Sequence, residues 1–220
     1  MEDKEWVNKT FFGEIVDCYM LADLAKIEKN FDPNNECGNC NFPLALQIFS
    51  CMDFIGWLIS NPKNKPDDTS GNIIAFIFEF FSEKSKKQVM EVDKFIKIFR
   101  HGLTHEYFAK SAGISRKGTE LLSIDIVKEA LVLDADVLLG EFRSSITELR
   151  KKVNEDTALA TQIKTRYLEM RNNNSLVTQG IISRSQGNNT ITRSTSLKLP
   201  IYPSNASVAP PVTLPPELIK

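Results

Sequence analysis

The sequence predicts a mainly α-helical fold: a helical bundle with a small β-hairpin, followed by a disordered C-terminal tail. Apolar residues recur every three or four positions through most of residues 1–172, the spacing that gathers them on one side of a helix. Apolar and polar residues alternate, as in a strand, around residues 122–126. Residues 173–220 hold six of the ten prolines and many Ser, Thr, Asn and Gln residues, with too few apolar groups to offset the entropy lost on ordering.

Length and composition favour one folded domain. A chain of 220 residues with 42% hydrophobic and 25% charged side chains matches a globular unit of ordinary size. The net charge of −1 gives no general attraction to nucleic acid or membrane. The tail has four basic residues and one acidic residue, a net +3, which leaves −4 for the body. We expect a helical domain over residues 1–172 and a polar tail over 173–220, with any RNA contact confined to a local cluster.

The chain shows no targeting or membrane segment in its sequence pattern. Its N-terminus lacks the basic region and the uninterrupted apolar run of a secretory signal. The most apolar stretch, residues 44–59, is shorter than the roughly 20 residues of a membrane span and is interrupted by Gln47, Ser50 and Asp53. We interpret it as a buried core helix and expect a cytoplasmic protein with reduced cysteines.

The first four helices follow from the apolar spacing. A helix over residues 6–27 would bury Val7, Phe11, Phe12, Ile15, Val16, Tyr19, Met20 and Leu24. A second begins near Pro43, and turn-forming residues predict a loop over 61–71. Residues 73–81 suit a buried strand or a short buried helix, and their position between helices favours the helix. A fourth helix over residues 85–108 would have an inward face formed by Val89, Val92, Phe95, Ile96, Phe99 and Leu103.

Two further helices have identifiable starts. Asp134 or Asp136 can cap the fifth helix, and Asp156 can cap a sixth that ends near Arg171. Between the fourth and fifth helices, the alternation around Leu122, Ile124 and Ile126 predicts the hairpin or short strands.

Both histidines of the chain lie in one short cluster, Phe99-Arg100-His101-Gly102-Leu103-Thr104-His105-Glu106-Tyr107-Phe108. Histidine has an unperturbed pKa of about 6.5, so it can take and give a proton near neutral pH. An arginine beside it offers a planar fork of donors that matches a phosphate. The cluster therefore suits phosphoryl transfer.

This pattern, Arg-x4-His-x-Tyr, resembles the motif of the HEPN superfamily. The family consists of helical bundles, and many of its members are metal-independent endoribonucleases that work as dimers. The resemblance implies that His105 acts as base or acid on the ribose 2′-hydroxyl and that Arg100 stabilises the charge of the pentacovalent phosphate. His101 would occupy the family's polar position after the arginine and orient the site. Tyr107 matches toxins of the family in which a partner antitoxin modifies that tyrosine, so RNA, a second copy and an antitoxin are the implied partners, without a cofactor.

The spacing of the motif leaves alternatives open. Residues five apart on a regular helix diverge by about 140°, so Arg100 and His105 would not point the same way. Either the helix loosens at Gly102, or two subunits combine their residues in one site. A simpler interpretation is that both cations decorate a helix C-terminus, where the dipole favours positive charge.

Other candidate sites are weaker. Cys37 and Cys40 form a thiolate pair, but zinc would need two more ligands, and Cys18 and Cys51 fit core positions better, so we expect no metal site. Several basic residues could rim an RNA groove or simply form solvated faces: Lys84, Lys86, Lys87, Arg116, Lys117, Arg150, Lys151 and Lys152.

Overall fold

A computed structural model describes residues 1–32, 39–60, 67–106, 109, 112–173, 182–184 and 191–193. This part of the chain is mainly helical, as the sequence predicts. Its helices are α1 over residues 3–28, α2 (Asn41–Ile59), α3 (Thr69–Phe80), α4 (Glu83–Met90), α5 over residues 97–106, α6 (Ala135–Glu155) and α7 (Thr157–Asn173). Strands β1 (Ala112–Ser115), β2 (Leu122–Asp125) and β3 (Ala130–Asp134) form a small sheet. The chain divides into two compact units, Met1–Met170 and Arg171–Lys220, and the core and sheet belong to the first.

Helix α1 is α-helical at Asp3–Trp6 and Ala22–Glu28 and a wider π-helix at Val7–Leu21. A π-helix bonds each residue to the fifth along the chain, so its faces repeat every four to five residues rather than about every 3.6. The buried residues follow this longer repeat: Val7, Phe11, Phe12 and Val16. Cys18 and Tyr19 are exposed, so the prediction that they lie in the core is wrong.

Helix α2 is a core helix, as its apolar composition predicts. Its buried residues are Leu44, Ala45, Ile48, Phe49, Cys51, Met52, Ile55, Gly56, Trp57 and Leu58. Its length and mean hydropathy of 1.6 would also suit a membrane span. The buried side chains, however, belong to one hydrophobic core shared with the other helices, so packing within the fold already accounts for its apolar character.

The single helix predicted over residues 85–108 is two helices in the structure. Helix α4 ends at Met90, and a turn in which Lys94 has a φ of 63° precedes α5. This left-handed residue interrupts the helical backbone directly before α5, but neither glycine nor proline marks it in the sequence. The predicted inward face is largely retained: Val89, Phe95, Ile96, Phe99 and Leu103 are buried. Val92, within the turn, is only half-buried.

The predicted hairpin is part of a three-stranded sheet with the order β1-β3-β2. Strands β2 and β3 pair antiparallel, with Ser123 opposite Val132. Ile126 lies in the turn between them rather than on a strand. Strand β1 pairs parallel with β3, with Ile114 opposite Leu133. Local alternation predicts the hairpin but not this second, longer-range pairing.

Three helices begin at aspartate caps. The Oδ1 atoms of Asp134 and Asp156 each accept hydrogen bonds from the backbone N–H groups two and three residues later, at 2.8–3.2 Å. These are predicted caps, and Asp134 is the one used of the two candidates for α6. Asp68 caps α3 by accepting from the backbone N–H of Gly71 at 3.0 Å. Residues 69–71, predicted as loop, therefore form the first turn of α3.

The second unit contains one short strand pair. Strand β4 (Ile182–Arg184) pairs antiparallel with β5 (Ile191–Arg193), and Ser183 lies opposite Thr192. The prediction of a disordered tail did not include these strands. The other residues of the predicted tail after residue 173 lie outside the described part of the chain.

Helices α2 and α3 cross closely at Gly56. A Cβ atom added to Gly56 would lie 2.7 Å from the backbone carbonyl carbon of Asn72 and 3.3 Å from its Cα. These are backbone atoms, which cannot rotate away, so the crossing requires glycine. It places Asn72, whose side chain is fully buried, beside the α2 residue Asp53.

Gly56→Ala is expected to lower the free energy of unfolding by about 1–3 kcal/mol, because the added methyl group must separate two packed helices. Gly140→Ala is the matched control, since a Cβ there meets nothing within 4 Å. In the middle of α6 it should raise stability by about 0.5–1 kcal/mol. Urea denaturation of both variants measures the difference, and a neutral Gly56→Ala would contradict the close crossing.

Candidate functional site

Aromatic packing sets the position of the candidate motif. The rings of Phe95 and Phe99 contact each other at a tilt of 55° where the chain enters α5, with centroids 5.3 Å apart. Phe95 also meets Phe49 of α2, at 5.9 Å. Residues four apart share a helix face, so Asp53 lies one turn after Phe49 on the same side of α2. Arg100, next to the buried Phe99, is thereby brought to Asp53.

Arg100 forms an ion pair with Asp53. The Nη2 atom of Arg100 lies 3.8 Å from Oδ2 of Asp53, and the two side chains are 20% and 19% exposed. The other carboxylate oxygen, Oδ1, accepts a hydrogen bond from Nδ2 of Asn72 at 3.0 Å. The Nε atom of Arg100 is buried and has no hydrogen-bond partner within the described part of the chain. The Arg100 guanidinium is thus held by electrostatic attraction, and its Nε–H group makes no hydrogen bond within the described part of the chain.

The two histidines lie together at the end of α5. The helix is a π-helix at Lys97–His101 and becomes an α-helix at Gly102–Glu106. The rings of His101 and His105 meet edge-on, with centroids 6.2 Å apart and planes at 71°. His105 is exposed and His101 is half-buried. The widened turn lies directly before Gly102, close to the position where one of the two alternatives left open by the motif spacing places a looser helix.

The motif residues divide into two described pairs. Arg100 contacts Asp53, and His105 contacts His101. Arg100 and the histidine segment are further linked through the backbone, because Oγ1 of Thr104 donates to the carbonyl oxygen of Arg100 at 2.8 Å. Tyr107 lies outside the described residues.

Sequence reasoning missed the roles of Asp53 and Asn72. In the sequence, Asp53 is visible only as an interruption of the apolar stretch 44–59. A charged residue within a core helix requires a partner, and this was the available signal. Its partners come from α3 and α5, 19 and 47 positions later in the chain, and no local pattern links them.

The arrangement combines a proton-transfer group with a fixed cation. An exposed imidazole can exchange protons with a ligand, and a neighbouring ring can orient it. A guanidinium can stabilise negative charge on a phosphate oxygen. The proton-transfer group and the cation each sit in their own local pair.

Most cations of the predicted RNA rim are paired with acids. The salt bridges join Lys84 to Glu120, Lys86 to Glu83, Arg116 and Lys117 to Asp136, Arg150 to Asp17, and Lys152 to Glu79. Arg116 is almost fully buried, with 1% of its side chain exposed. These contacts favour solvated or structural charges over a continuous basic groove.

The cysteines occupy different environments. Cys18 is exposed, Cys40 is half-buried and Cys51 is buried in α2, whereas Cys37 lies outside the described residues. Burial raises the pKa of the Cys51 thiol to about 12. Within the described ranges, no group of three or more His, Cys, Asp and Glu side chains is arranged to hold a metal ion.

No family model, curated protein or solved structure matches this chain. The resemblance to HEPN proteins therefore rests on the motif residues alone.

Alkylation should distinguish Cys18 from Cys51. At about pH 8, a thiol with a pKa near 12 exists as thiolate in roughly one molecule in ten thousand, and only the thiolate reacts readily. Iodoacetamide should therefore modify Cys18 in the native protein and leave Cys51 free until urea unfolds the chain. Peptide mass spectrometry measures both sites, and equal modification of the two in the native protein would contradict the burial of Cys51.

Proposed function

We propose that this chain is a metal-independent endoribonuclease of the HEPN type, with its site at the end of α5. One observation carries the proposal: the exposed His105 ring lies edge-on to His101, and His101 directly follows an arginine held by a mostly buried carboxylate. A proton-transfer group is thus accessible to a ligand, and a permanent cation is fixed in the same helix end.

The proposed reaction uses these groups as acid, base and cation. His105 removes the proton of a ribose 2′-hydroxyl, and the 2′-oxygen attacks the adjacent phosphorus. Arg100 stabilises the additional negative charge of the pentacovalent phosphate. The bond between phosphorus and the 5′-oxygen then breaks, and a protonated imidazole supplies the proton that this oxygen takes. The products are a 2′,3′-cyclic phosphate and a 5′-hydroxyl, and His101 orients His105.

A dimer would complete this site. Arg100 is engaged with Asp53 on its own subunit, whereas His105 faces solvent. Two copies related by a two-fold axis could place His105 of each beside Arg100 of the other, which is the composite arrangement that the resemblance implies. The setting we propose is bacterial defence or a toxin-antitoxin pair, with a partner protein acting on Tyr107.

The second candidate function is a non-catalytic RNA- or protein-binding module of the same fold. It is favoured by the ion pair of Arg100 with Asp53, because this contact is also what a purely structural arginine makes. The two functions differ in whether removal of the His105 side chain changes RNA cleavage. This side chain is exposed, so it contributes little to packing in either case.

RNA cleavage tests the proposal directly. Wild-type protein in excess EDTA should cut total RNA and leave 2′,3′-cyclic phosphate ends. His105→Ala should reduce the rate at least about 100-fold, because it removes the proton-transfer group. Its melting temperature should stay unchanged, since the side chain is exposed. Product ends are identified by their response to phosphatase before and after acid opening of the cyclic phosphate.

Two further variants serve as controls for cleavage. Arg100→Ala should also abolish cleavage, with some loss of stability because Asp53 loses its counter-ion. Lys97→Ala removes an exposed cation from the same helix and should keep full activity. Intact RNA with the wild-type protein would favour the binding module, and unfolding of His105→Ala would favour a structural role for the motif.

Light scattering tests the dimer. The protein should elute with twice the mass of the 24.9 kDa chain at micromolar concentration. Mixing inactive Arg100→Ala and His105→Ala proteins should restore part of the activity, because one heterodimer site keeps both residues. A monomer with full activity would contradict the composite site.

A further inference from the structure

We propose that Asp53 is a positioning residue that orients Arg100 for catalysis and weakens the binding of RNA before the reaction. This inference rests on the proposed ribonuclease function. Asp53 lies in α2, far from the motif in sequence. Each of its two carboxylate oxygens has a contact in the structure.

The Asp53 carboxylate is itself held in a fixed orientation. Its Oδ1 atom accepts the hydrogen bond from Asn72, and Asn72 is fully buried where α3 crosses Gly56. Two packed helices therefore determine the direction in which Oδ2 points. That direction is toward Nη2 of Arg100. A carboxylate on a rigid element can fix a guanidinium more precisely than solvent can.

The ion pair leaves Arg100 available to another anion. The 3.8 Å separation of Nη2 and Oδ2 is too long for a hydrogen bond, so the contact is electrostatic. The Nε atom is buried without a hydrogen-bond partner among the described residues. A guanidinium has five N–H donors, and an unsatisfied buried donor is costly. A small movement of the side chain toward a phosphate would satisfy these donors.

The negative charge of Asp53 has two opposite effects on RNA. It keeps the guanidinium in place, which favours the transition state, where the phosphate carries additional charge. It also repels the phosphate of the bound substrate, which weakens the ground-state complex. Removing the charge should therefore lower both kcat and KM, whereas partial unfolding would lower apparent kcat and leave KM unchanged.

Asp53→Asn tests the inference, because the amide keeps the shape of the side chain and an oxygen that can accept from Asn72. We expect kcat to fall about tenfold and KM to fall several-fold. Asp93→Asn is the control, because this carboxylate is 86% exposed in the turn before α5. It should change neither constant.

Binding of an uncleavable 2′-O-methyl RNA, measured by fluorescence anisotropy, separates this inference from the proposed function. Asp53→Asn should bind this RNA several-fold more tightly than wild type. If wild type cleaves RNA and Asp53→Asn retains its kcat, the inference is wrong while the ribonuclease function stands. If wild type cleaves no RNA, the proposed function fails. Unchanged affinity of Asp53→Asn for the uncleavable RNA would overturn the claim that Asp53 weakens RNA binding, whether or not wild type cleaves RNA.

Discussion

The close crossing of α2 and α3 at Gly56 determines where the charges of the candidate site lie. Without a side chain at Gly56, the backbone of Asn72 approaches α2 and its amide reaches Asp53. Asp53 in turn forms the ion pair with Arg100. Three helices are thus connected through polar contacts at the edge of an otherwise apolar core, and a change in the crossing would alter the direction of the carboxylate that holds the arginine.

Widened helical turns shape the fold in two places. In α1 the π-helix at Val7–Leu21 lengthens the repeat of buried residues, so Tyr19 faces solvent while Val16 remains in the core. In α5 the π-helical turn at Lys97–His101 precedes the regular segment that carries His105. A wider turn offsets the residues after it by about one position relative to a regular helix. The side chains at the end of α5 therefore point in other directions, relative to those before the wide turn, than they would on a regular helix.

Sequence predicted the features that depend on neighbours along the chain. Apolar spacing located the core helix α2, and side-chain capping located Asp134 and Asp156 as helix starts. The same reasoning failed where the backbone departs from a regular helix without a glycine or proline. The left-handed Lys94 carries no local mark of this kind, and the single Gly13 within Val7–Leu21 does not by itself indicate a π-helix of 15 residues.

The candidate site was predictable only in part, for the same reason. The clustering of His101 and His105 is visible in the sequence, since both belong to one helix end. The pairing of Arg100 with Asp53 depends on how α2 packs against α5 through Phe49 and Phe95. Contacts of this kind follow from tertiary packing, and a polar residue inside an apolar helix indicates only that some partner exists.

A crystal structure with an uncleavable RNA, methylated at the 2′-oxygen, would test whether the end of α5 is an RNA-cleaving site. We expect one backbone phosphate within hydrogen-bond distance of the Arg100 guanidinium and the adjacent 2′-oxygen close to the ring of His105, from the same or a second subunit. RNA bound elsewhere, with Arg100 still paired only with Asp53 and His105 facing solvent, would contradict this expectation.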